Sequence, residues 1–204
     1  MRTKLRRVTA VCAAAAAALA ATAALGTSAQ ADPDLPIHQT VSADTHLKTL
    51  NQDLHLTGTF DGTFDLGTGD LDGDLAFQPT EGSLDILGLN AATVGVAIVP
   101  TAPAHGKIDL ATSAVQLSTT FNIRILYIKP LGLPLNLVGN GCVTSSPVSL
   151  TSTGTIDIAT QVVTLAAEFT IPPLKNCGLL VTPVLNLVVP GPGNAFNAVA
   201  TPRT

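Results

Sequence analysis

Two stretches of this chain are near copies of one another, and they constrain its fold more than any other feature. Residues 106–123 read GKIDLATSAVQLSTTFNI and residues 154–171 read GTIDIATQVVTLAAEFTI, which gives nine identities in eighteen positions without a gap. A fainter third copy, residues 62–77, keeps the glycine, the aspartate, the threonine and the closing phenylalanine. This self-similarity predicts a domain built from roughly three related units.

Each copy has the pattern of a β-hairpin. Apolar side chains recur at every second position on both sides of a short turn, which is typical of antiparallel strands with one solvated face. In the second copy the inward set is Ile108, Leu110, Val115, Leu117, Thr119 and Phe121. An aspartate stands three residues before a threonine in all three copies, at Asp65, Asp109 and Asp157. We expect these carboxylates to accept hydrogen bonds from backbone or hydroxyl groups of the turn.

The remainder of the chain predicts further strands and no helix of useful length. The strand candidates, separated by prolines, are residues 83–87, 93–99, 121–128, 148–151 and 181–189. Together with the hairpins they predict an all-β fold, an antiparallel β-sandwich or barrel of about ten strands.

The N-terminus has the features of a cleaved signal peptide. A basic segment is followed by an alanine-rich apolar run and by Ala29-Gln30-Ala31, which predicts cleavage after Ala31. The run is a poor membrane anchor, so we expect a protein secreted by the Sec route without a transmembrane anchor after processing. The alanine-rich leader resembles those of exported bacterial proteins, so we expect a bacterial protein. The predicted organisation is a signal peptide at 1–31, an extended arm at 32–50, the all-β domain at 51–190 and an irregular tail at 191–204.

Charge and composition narrow the choice of partners. Without the leader the chain keeps six basic and fourteen acidic residues, a net charge of −8, which argues against nucleic acid as a partner. The chain has no tryptophan and a single tyrosine, Tyr127, so the aromatic platforms of sugar-binding sites are missing. The sequence does not predict an oligomeric state.

Two cysteines, Cys142 and Cys177, remain after the leader is removed. An even pair in a secreted protein predicts a disulfide. On the chain-entropy model, closing a loop of this length stabilises the fold by roughly 3–4 kcal/mol. A thiol site is the alternative, but the sequence lacks a CxxC motif and a histidine near either cysteine.

Two polar patterns are candidate metal sites. Asp70, Asp72 and Asp74 carry carboxylates at alternate positions, which is a candidate calcium site or, alternatively, a solvated acidic strand face. Aspartate and histidine are spaced by one residue in 44–46 and again in 53–55, which indicates either zinc ligation or a polar face. Apart from calcium, we predict no cofactor.

The functional hypothesis rests on an excess of apolar residues. Residues 121–137 and 178–189 carry more apolar side chains than one sheet face can hide, so they fill a core or line a cavity. We therefore expect a secreted, non-enzymatic protein that binds a lipid, another small apolar molecule or a cell-envelope component, at residues the sequence does not identify. The alternatives are a structural or adhesive cell-wall module and an extracellular hydrolase, although the sequence lacks the G-x-S-x-G motif and predicts no catalytic residue.

Overall fold

The fold is almost entirely antiparallel β-structure. The computed structural model describes residues 34–86 and 89–203, without the side chains of residues 85–91. The strands in this part of the chain are β1 (Asp34–Leu47), β2 (Gln52–Asp65), β3 (Asp70–Phe77), β4 (Thr80–Ile86), β5 (Leu89–Pro100), β6 (Ala104–Asp109), β7 (Ala114–Pro130), β8 (Val143–Thr144), β9 (Val148–Asp157), β10 (Val162–Ile171), β11 (Leu174–Lys175) and β12 (Gly191–Pro202). One short helix, α1 (Val181–Val188), lies between β11 and β12.

Eight of these strands form a closed barrel. Their order around the ring is β1-β2-β3-β6-β7-β9-β10-β12, and the ring closes because β12 pairs with β1 while β7 pairs with β9. Every pairing is antiparallel. The all-β antiparallel prediction is therefore confirmed, and of its two architectures the structure has the barrel.

The other four strands extend the wall at one end of the barrel. The first half of β7 pairs with β6 and β9, whereas its second half pairs with β5, which in turn pairs with β4. A β-bulge interrupts the β5–β7 ladder, because Val96 lies opposite Ile125 while Gly95 lies opposite Tyr127. The extra residue on β7 shifts its inward positions by one, so Ile125 and Ile128 are both buried. The short strands β8 and β11 pair with each other beside Arg124 of β7.

The three predicted hairpins, β2–β3, β6–β7 and β9–β10, close with the same turn chemistry. Asp109 Oδ1 accepts hydrogen bonds from the N–H groups of Ala111 (2.9 Å) and Thr112 (3.3 Å), and its Oδ2 accepts one from the Thr112 hydroxyl (2.7 Å). Asp65 and Asp157 accept the equivalent backbone bonds. The predicted role of these aspartates is confirmed, and the bonds hold the pKa of all three carboxyls below its ordinary value.

Glycines at one equivalent strand position allow the hairpin strands to approach closely. A Cβ on Gly154 would lie 1.7 Å from the carbonyl oxygen of Thr164, and one on Gly106 would lie 2.5 Å from that of Gln116. Gly62 in β2 has the same relation to Asp72 of β3, at 2.2 Å. Any side chain at these positions would push the strands apart, so the glycines set the curvature of the barrel wall.

Three predictions about the ends of the domain are wrong. The supposed arm at residues 32–50 supplies the barrel strand β1, and the supposed irregular tail at 191–204 supplies β12. The candidate strand at 181–189 is the helix α1, which tolerates Pro183 because the first helical turn needs no N–H donor there. The predicted leader, with its cleavage point after Ala31, lies outside the described residues.

Candidate functional site

Two cavities lie inside the barrel, one toward each end. The helix-end cavity, lined in part by α1, has a volume of about 100 Å³. The turn-end cavity, on the side of the three aspartate turns, has a volume of about 70 Å³. Protein interiors are normally close-packed, with few voids larger than a water molecule, so two such spaces in one barrel are unusual.

The helix-end cavity lies where the wall is built from the additional strands. Seven barrel strands, β1, β2, β3, β7, β9, β10 and β12, contribute to its lining, and so do β4, β5 and α1. The apolar lining includes Leu47, Leu54, Val94, Ile98, Ile123, Ile128, Phe169 and Leu185. Asp53 is the one charged residue among the described lining residues, and its side chain is 83% exposed. The surface that faces this space is therefore mainly apolar and carries no other charged side chain among the described residues.

The turn-end cavity is lined mainly by residues of the repeated hairpins. These residues include Leu71, Ile108, Val115, Leu117, Ile156, Val163 and Leu165. Thr119 and Ser152 add hydroxyl groups, and the Ser152 hydroxyl donates to the Leu117 carbonyl at 3.2 Å. The inward aliphatic residues that the copies share thus form the wall of this second space.

Three side chains separate the two cavities at mid-barrel. Phe77, Leu150 and Phe196 belong to the lining of both spaces. Leu150 and Phe196 are 4% and 6% exposed, so they are fully enclosed by the wall.

Two polar atoms of the helix-end cavity lining have no hydrogen-bond partner among the described residues. They are the hydroxyl oxygen of Thr45 in β1 and the amide nitrogen Nε2 of Gln52 in β2. Thr45 is 4% exposed, and both atoms are buried. A third such atom, Oε1 of Gln39, belongs to the turn-end cavity. Buried polar atoms without partners are rare, because leaving one unsatisfied costs about 1–3 kcal/mol.

A disulfide and two side chains hold the segment around α1 at the end of the barrel. Cys142 and Cys177 form the predicted disulfide, between the segments that carry β8 and β11. Asn186 of α1 accepts from the Leu174 N–H (2.7 Å) and donates to the Leu174 carbonyl (2.9 Å). The Thr182 hydroxyl accepts from the Cys177 N–H at 3.1 Å. These contacts keep Leu185 buried over the helix-end cavity.

The two segments joined by this disulfide expose many aliphatic side chains, which we call the leucine surface. Its members are Leu131, Leu133, Leu135 and Leu137 in the segment after β7, and Leu179, Leu180, Val184 and Leu187 in and before α1. Leu179 is 96% exposed and Leu180 is 85% exposed. The two segments are connected by the disulfide and by a hydrogen bond from the Gly139 N–H to the Cys177 carbonyl. Exposed apolar groups at this density mark interaction surfaces on soluble proteins.

The aspartates of the candidate calcium site lie on the outer face of β3 and do not converge. Asp70 forms an ion pair with Lys107 at 3.6 Å, and Asp72 hydrogen-bonds with His105. Asp74 lies directly opposite Asp61 of β2. Within the described chain, no group of three His, Cys, Asp or Glu side chains is arranged to hold a metal ion. Calcium binding stays a prediction, and a calcium titration of the melting temperature tests it.

The two Asp-x-His motifs lie on neighbouring strands and pair with each other. His55 hydrogen-bonds with Asp44 (2.7 Å), and His46 hydrogen-bonds with Asp53 (2.7 Å). His38 pairs in the same way with Asp61 (2.6 Å). These contacts run across the outer faces of β1 and β2, where each histidine is directly opposite its aspartate. In the described structure the two motifs therefore belong to a polar outer face, where they form a row of cross-strand His–Asp pairs.

Sequence reasoning did not single out Thr45 or Gln52. The missing signal was the register of β1 and β2, since residues that alternate with the outward His46 and Asp53 must point inward.

Comparisons with known proteins leave the chain without an identified relative. No family model, no curated protein and no solved structure matches it. Among the described residues, α1 is too short to cross a membrane and no other helix is present. The fold and the site therefore define the protein only as a closed antiparallel β-barrel with apolar internal cavities.

Proposed function

We propose that this protein is a secreted, non-enzymatic carrier that binds a small apolar molecule inside the barrel. The observation that carries the proposal is the pair of cavities with almost wholly apolar walls. Eight-stranded barrels are wide enough either to be filled by side chains or to hold one small ligand. The space that the side chains leave inside this barrel favours the binding of a small ligand.

The energetic cost of empty space supports an occupant. Cavities in protein cores cost about 24 cal/mol for each Å³, so the helix-end cavity costs roughly 2 kcal/mol when empty. Water is a poor filling, because a buried water needs two to four polar partners and these walls offer few. An engineered apolar cavity of about 150 Å³ stays dry and binds benzene. A small hydrocarbon-like ligand would recover the lost contacts without desolvating many polar groups.

Secretion and the repeated architecture are part of the same proposal. The basic and alanine-rich N-terminus supports export with cleavage after Ala31. The disulfide is compatible with an oxidising compartment. The common turn aspartates and close-approach glycines support descent of the three hairpins from one repeated β-unit. Secretion is tested by N-terminal sequencing of the protein recovered from culture medium, which should begin at Asp32.

The carrier proposal is tested by native mass spectrometry of protein purified from its own host, followed by organic extraction. We expect a bound mass that disappears on extraction and an extract that contains an apolar compound. The extracted barrel should then take up 1-octanol or octane from water. A clean apo mass together with no uptake of either compound would refute the proposal.

The leucine surface favours a second candidate function, attachment to an apolar component of the cell envelope as a structural or adhesive module. The leucine surface exposes eight aliphatic side chains, and binding a ligand inside the barrel does not require exposed apolar groups in this number. Co-sedimentation with lipid vesicles tests this candidate. Leu179→Ser/Leu180→Ser should abolish sedimentation if the surface is responsible, whereas Leu35→Ser, on an exposed β1 position, should not.

The hydrolase alternative has least support, since the histidines pair with aspartates on the outside of the barrel.

A further inference from the structure

The helix-end cavity combines an apolar wall with one small polar position. Thr45 and Gln52 are diagonal neighbours on the inward face, because Thr45 lies opposite Leu54 and Gln52 lies opposite Leu47. On its other side Thr45 lies opposite Phe196. All three of these directly opposite residues are apolar, so none can satisfy the two polar side chains.

The two unpartnered atoms have complementary requirements. Nε2 of Gln52 is a donor and requires an acceptor, and the Thr45 hydroxyl can donate or accept. An oxygen placed between the two side chains would satisfy both, since diagonal neighbours on a sheet are within reach of long side chains. Among the described residues neither atom has a hydrogen-bond partner, so a ligand that enters the cavity can supply one.

The charge of the lining decides which kind of oxygen fits. No lysine or arginine belongs to the described lining of this cavity, and its one charged residue is the acidic Asp53. A carboxylate or phosphate brought into this space would be desolvated without a counter-ion, which is strongly unfavourable. A neutral carbonyl or hydroxyl oxygen carries no such penalty.

Building on the proposed carrier function, we infer that the ligand of the helix-end cavity is a neutral amphiphile with one hydroxyl, ester or ketone oxygen at its polar end. That oxygen accepts a hydrogen bond from Gln52 Nε2 and bonds with the Thr45 hydroxyl. The hydrocarbon part lies toward β5, β7 and α1, against Val94, Ile128 and Leu185. The polar pair therefore gives the carrier a head-group preference that an apolar cavity alone would lack.

The test compares four probes of equal chain length: octane, 1-octanol, methyl octanoate and octanoate. Headspace gas chromatography measures binding of the first three to the delipidated protein, and calorimetry measures binding of octanoate. In the wild type we expect octanoate to bind at least tenfold more weakly than methyl octanoate. In Thr45→Val/Gln52→Leu we expect the affinity for 1-octanol and methyl octanoate to fall about tenfold, which corresponds to two lost hydrogen bonds. The affinity for octane should stay the same or increase.

Thr40→Val is the matched control. It makes the same threonine-to-valine replacement on the same strand as Thr45→Val, but Thr40 is exposed on the outer face of β1 and belongs to the described lining of neither cavity. It should leave the ratio of 1-octanol to octane affinity unchanged. If the Thr45/Gln52 variant also leaves that ratio unchanged, or if octanoate binds as well as methyl octanoate, the head-group inference is wrong while the carrier function stands.

Failure of the carrier function has a different signature. If none of the four probes binds the wild type, the carrier function itself is wrong and the head-group inference falls with it. If the double variant does not fold, the wild-type comparison of methyl octanoate with octanoate still decides the question, because it requires no substitution.

Discussion

Replacing both cysteines of the disulfide with alanine should lower the free energy of unfolding by about 4 kcal/mol. Cys142 and Cys177 are separated by 35 positions, and for a closed loop of that size the chain-entropy relation gives about 13 cal/mol/K, or roughly 3.8 kcal/mol at 25 °C. In a domain of 150–250 residues each kcal/mol shifts the melting temperature by about 2–4 °C. We therefore expect Cys142→Ala/Cys177→Ala to melt roughly 8–15 °C below the wild type.

The loss should be concentrated at the helix end of the barrel. The disulfide connects the segments that carry β8 and β11, each only two residues long, and α1 follows directly. Hydrogen exchange should therefore accelerate at the amides of Leu174 and Val189, which are bonded within this region, before it changes at Ile156 beside the hairpin turns. Binding of apolar probes in the helix-end cavity should weaken as well, because Leu185 of α1 lines it.

Guanidinium denaturation and hydrogen exchange of the wild type, the reduced wild type and the double variant provide the measurement. Reduction of the wild type should reproduce the variant, because both remove the same cross-link. A loss of stability below about 1 kcal/mol would refute the loop-entropy argument. An equal acceleration of exchange at both ends of the barrel would refute the local role of the disulfide.

Three further substitutions test the barrel wall. Phe196→Ala should cost about 3–5 kcal/mol in a denaturant titration and, because Phe196 lines both cavities, should allow longer alkanes to bind than in the wild type. Gly154→Ala should lower stability by at least 1–3 kcal/mol in thermal melting, because its Cβ would overlap the Thr164 carbonyl, whereas Gly139→Ala, whose Cβ meets nothing nearer than 3.8 Å, should be close to neutral. Asp109 has a lowered pKa in the folded state because of its hydrogen bonds, chiefly from the Thr112 hydroxyl, so its stabilising effect is complete at neutral pH and is lost as the pH falls through about 4 and below. Asp109→Asn keeps an oxygen acceptor but does not titrate, so its melting temperature should depend less on pH between 5 and 2 than that of the wild type.

The hairpins were predictable because their inward residues are apolar. In β6, β7, β9 and β10 the inward positions are mainly Ile, Val, Leu and Phe, so period two is visible in the sequence. β1 and β12 close the same barrel, but their inward residues include Gln39, Thr45 and Asn194. Polar residues at inward positions hide the alternation, which is why the sequence predicts an arm and a tail in place of these two strands. The segments that were hardest to predict include those that place polar atoms in the cavities.

The helix α1 could not be predicted from periodicity because its segment is apolar on every side. Residues 178–189 carry Leu, Val and Pro in a pattern that suits a buried strand as well as a helix. The structure resolves the ambiguity through tertiary contacts, since Asn186 occupies the backbone groups of Leu174 and Leu185 is buried over the cavity. The outward Leu187 and Val184 are then left on the surface.

The histidine pairs could have been found from the sequence once a hairpin was assumed between β1 and β2. Antiparallel strands reverse the order of residues, so two Asp-x-His motifs on neighbouring strands place each histidine opposite the other motif's aspartate. His46 and His55 meet Asp53 and Asp44 in this way. The same register carries the alternate residues, Thr45 and Leu54, to the inside of the barrel. The outward His–Asp pairs therefore fix the register of β1 and β2, and this register identifies the residues that point into the helix-end cavity.

The differences between the repeated units explain where the candidate site lies. The shared residues form the hairpins, their turns and the wall of the turn-end cavity. After the second copy, β7 continues past its partners β6 and β9 and takes β5 as a new neighbour, which extends the wall. After the third copy the chain forms β11 and α1 and covers the same end. The three similar segments thus form hairpins of the barrel, β1 and β12 close it, and the unequal apolar segments after the second and third copies contribute to the helix-end cavity and the leucine surface. We therefore predict that substitutions in these apolar segments alter the binding of apolar probes while the barrel strands keep their pairing.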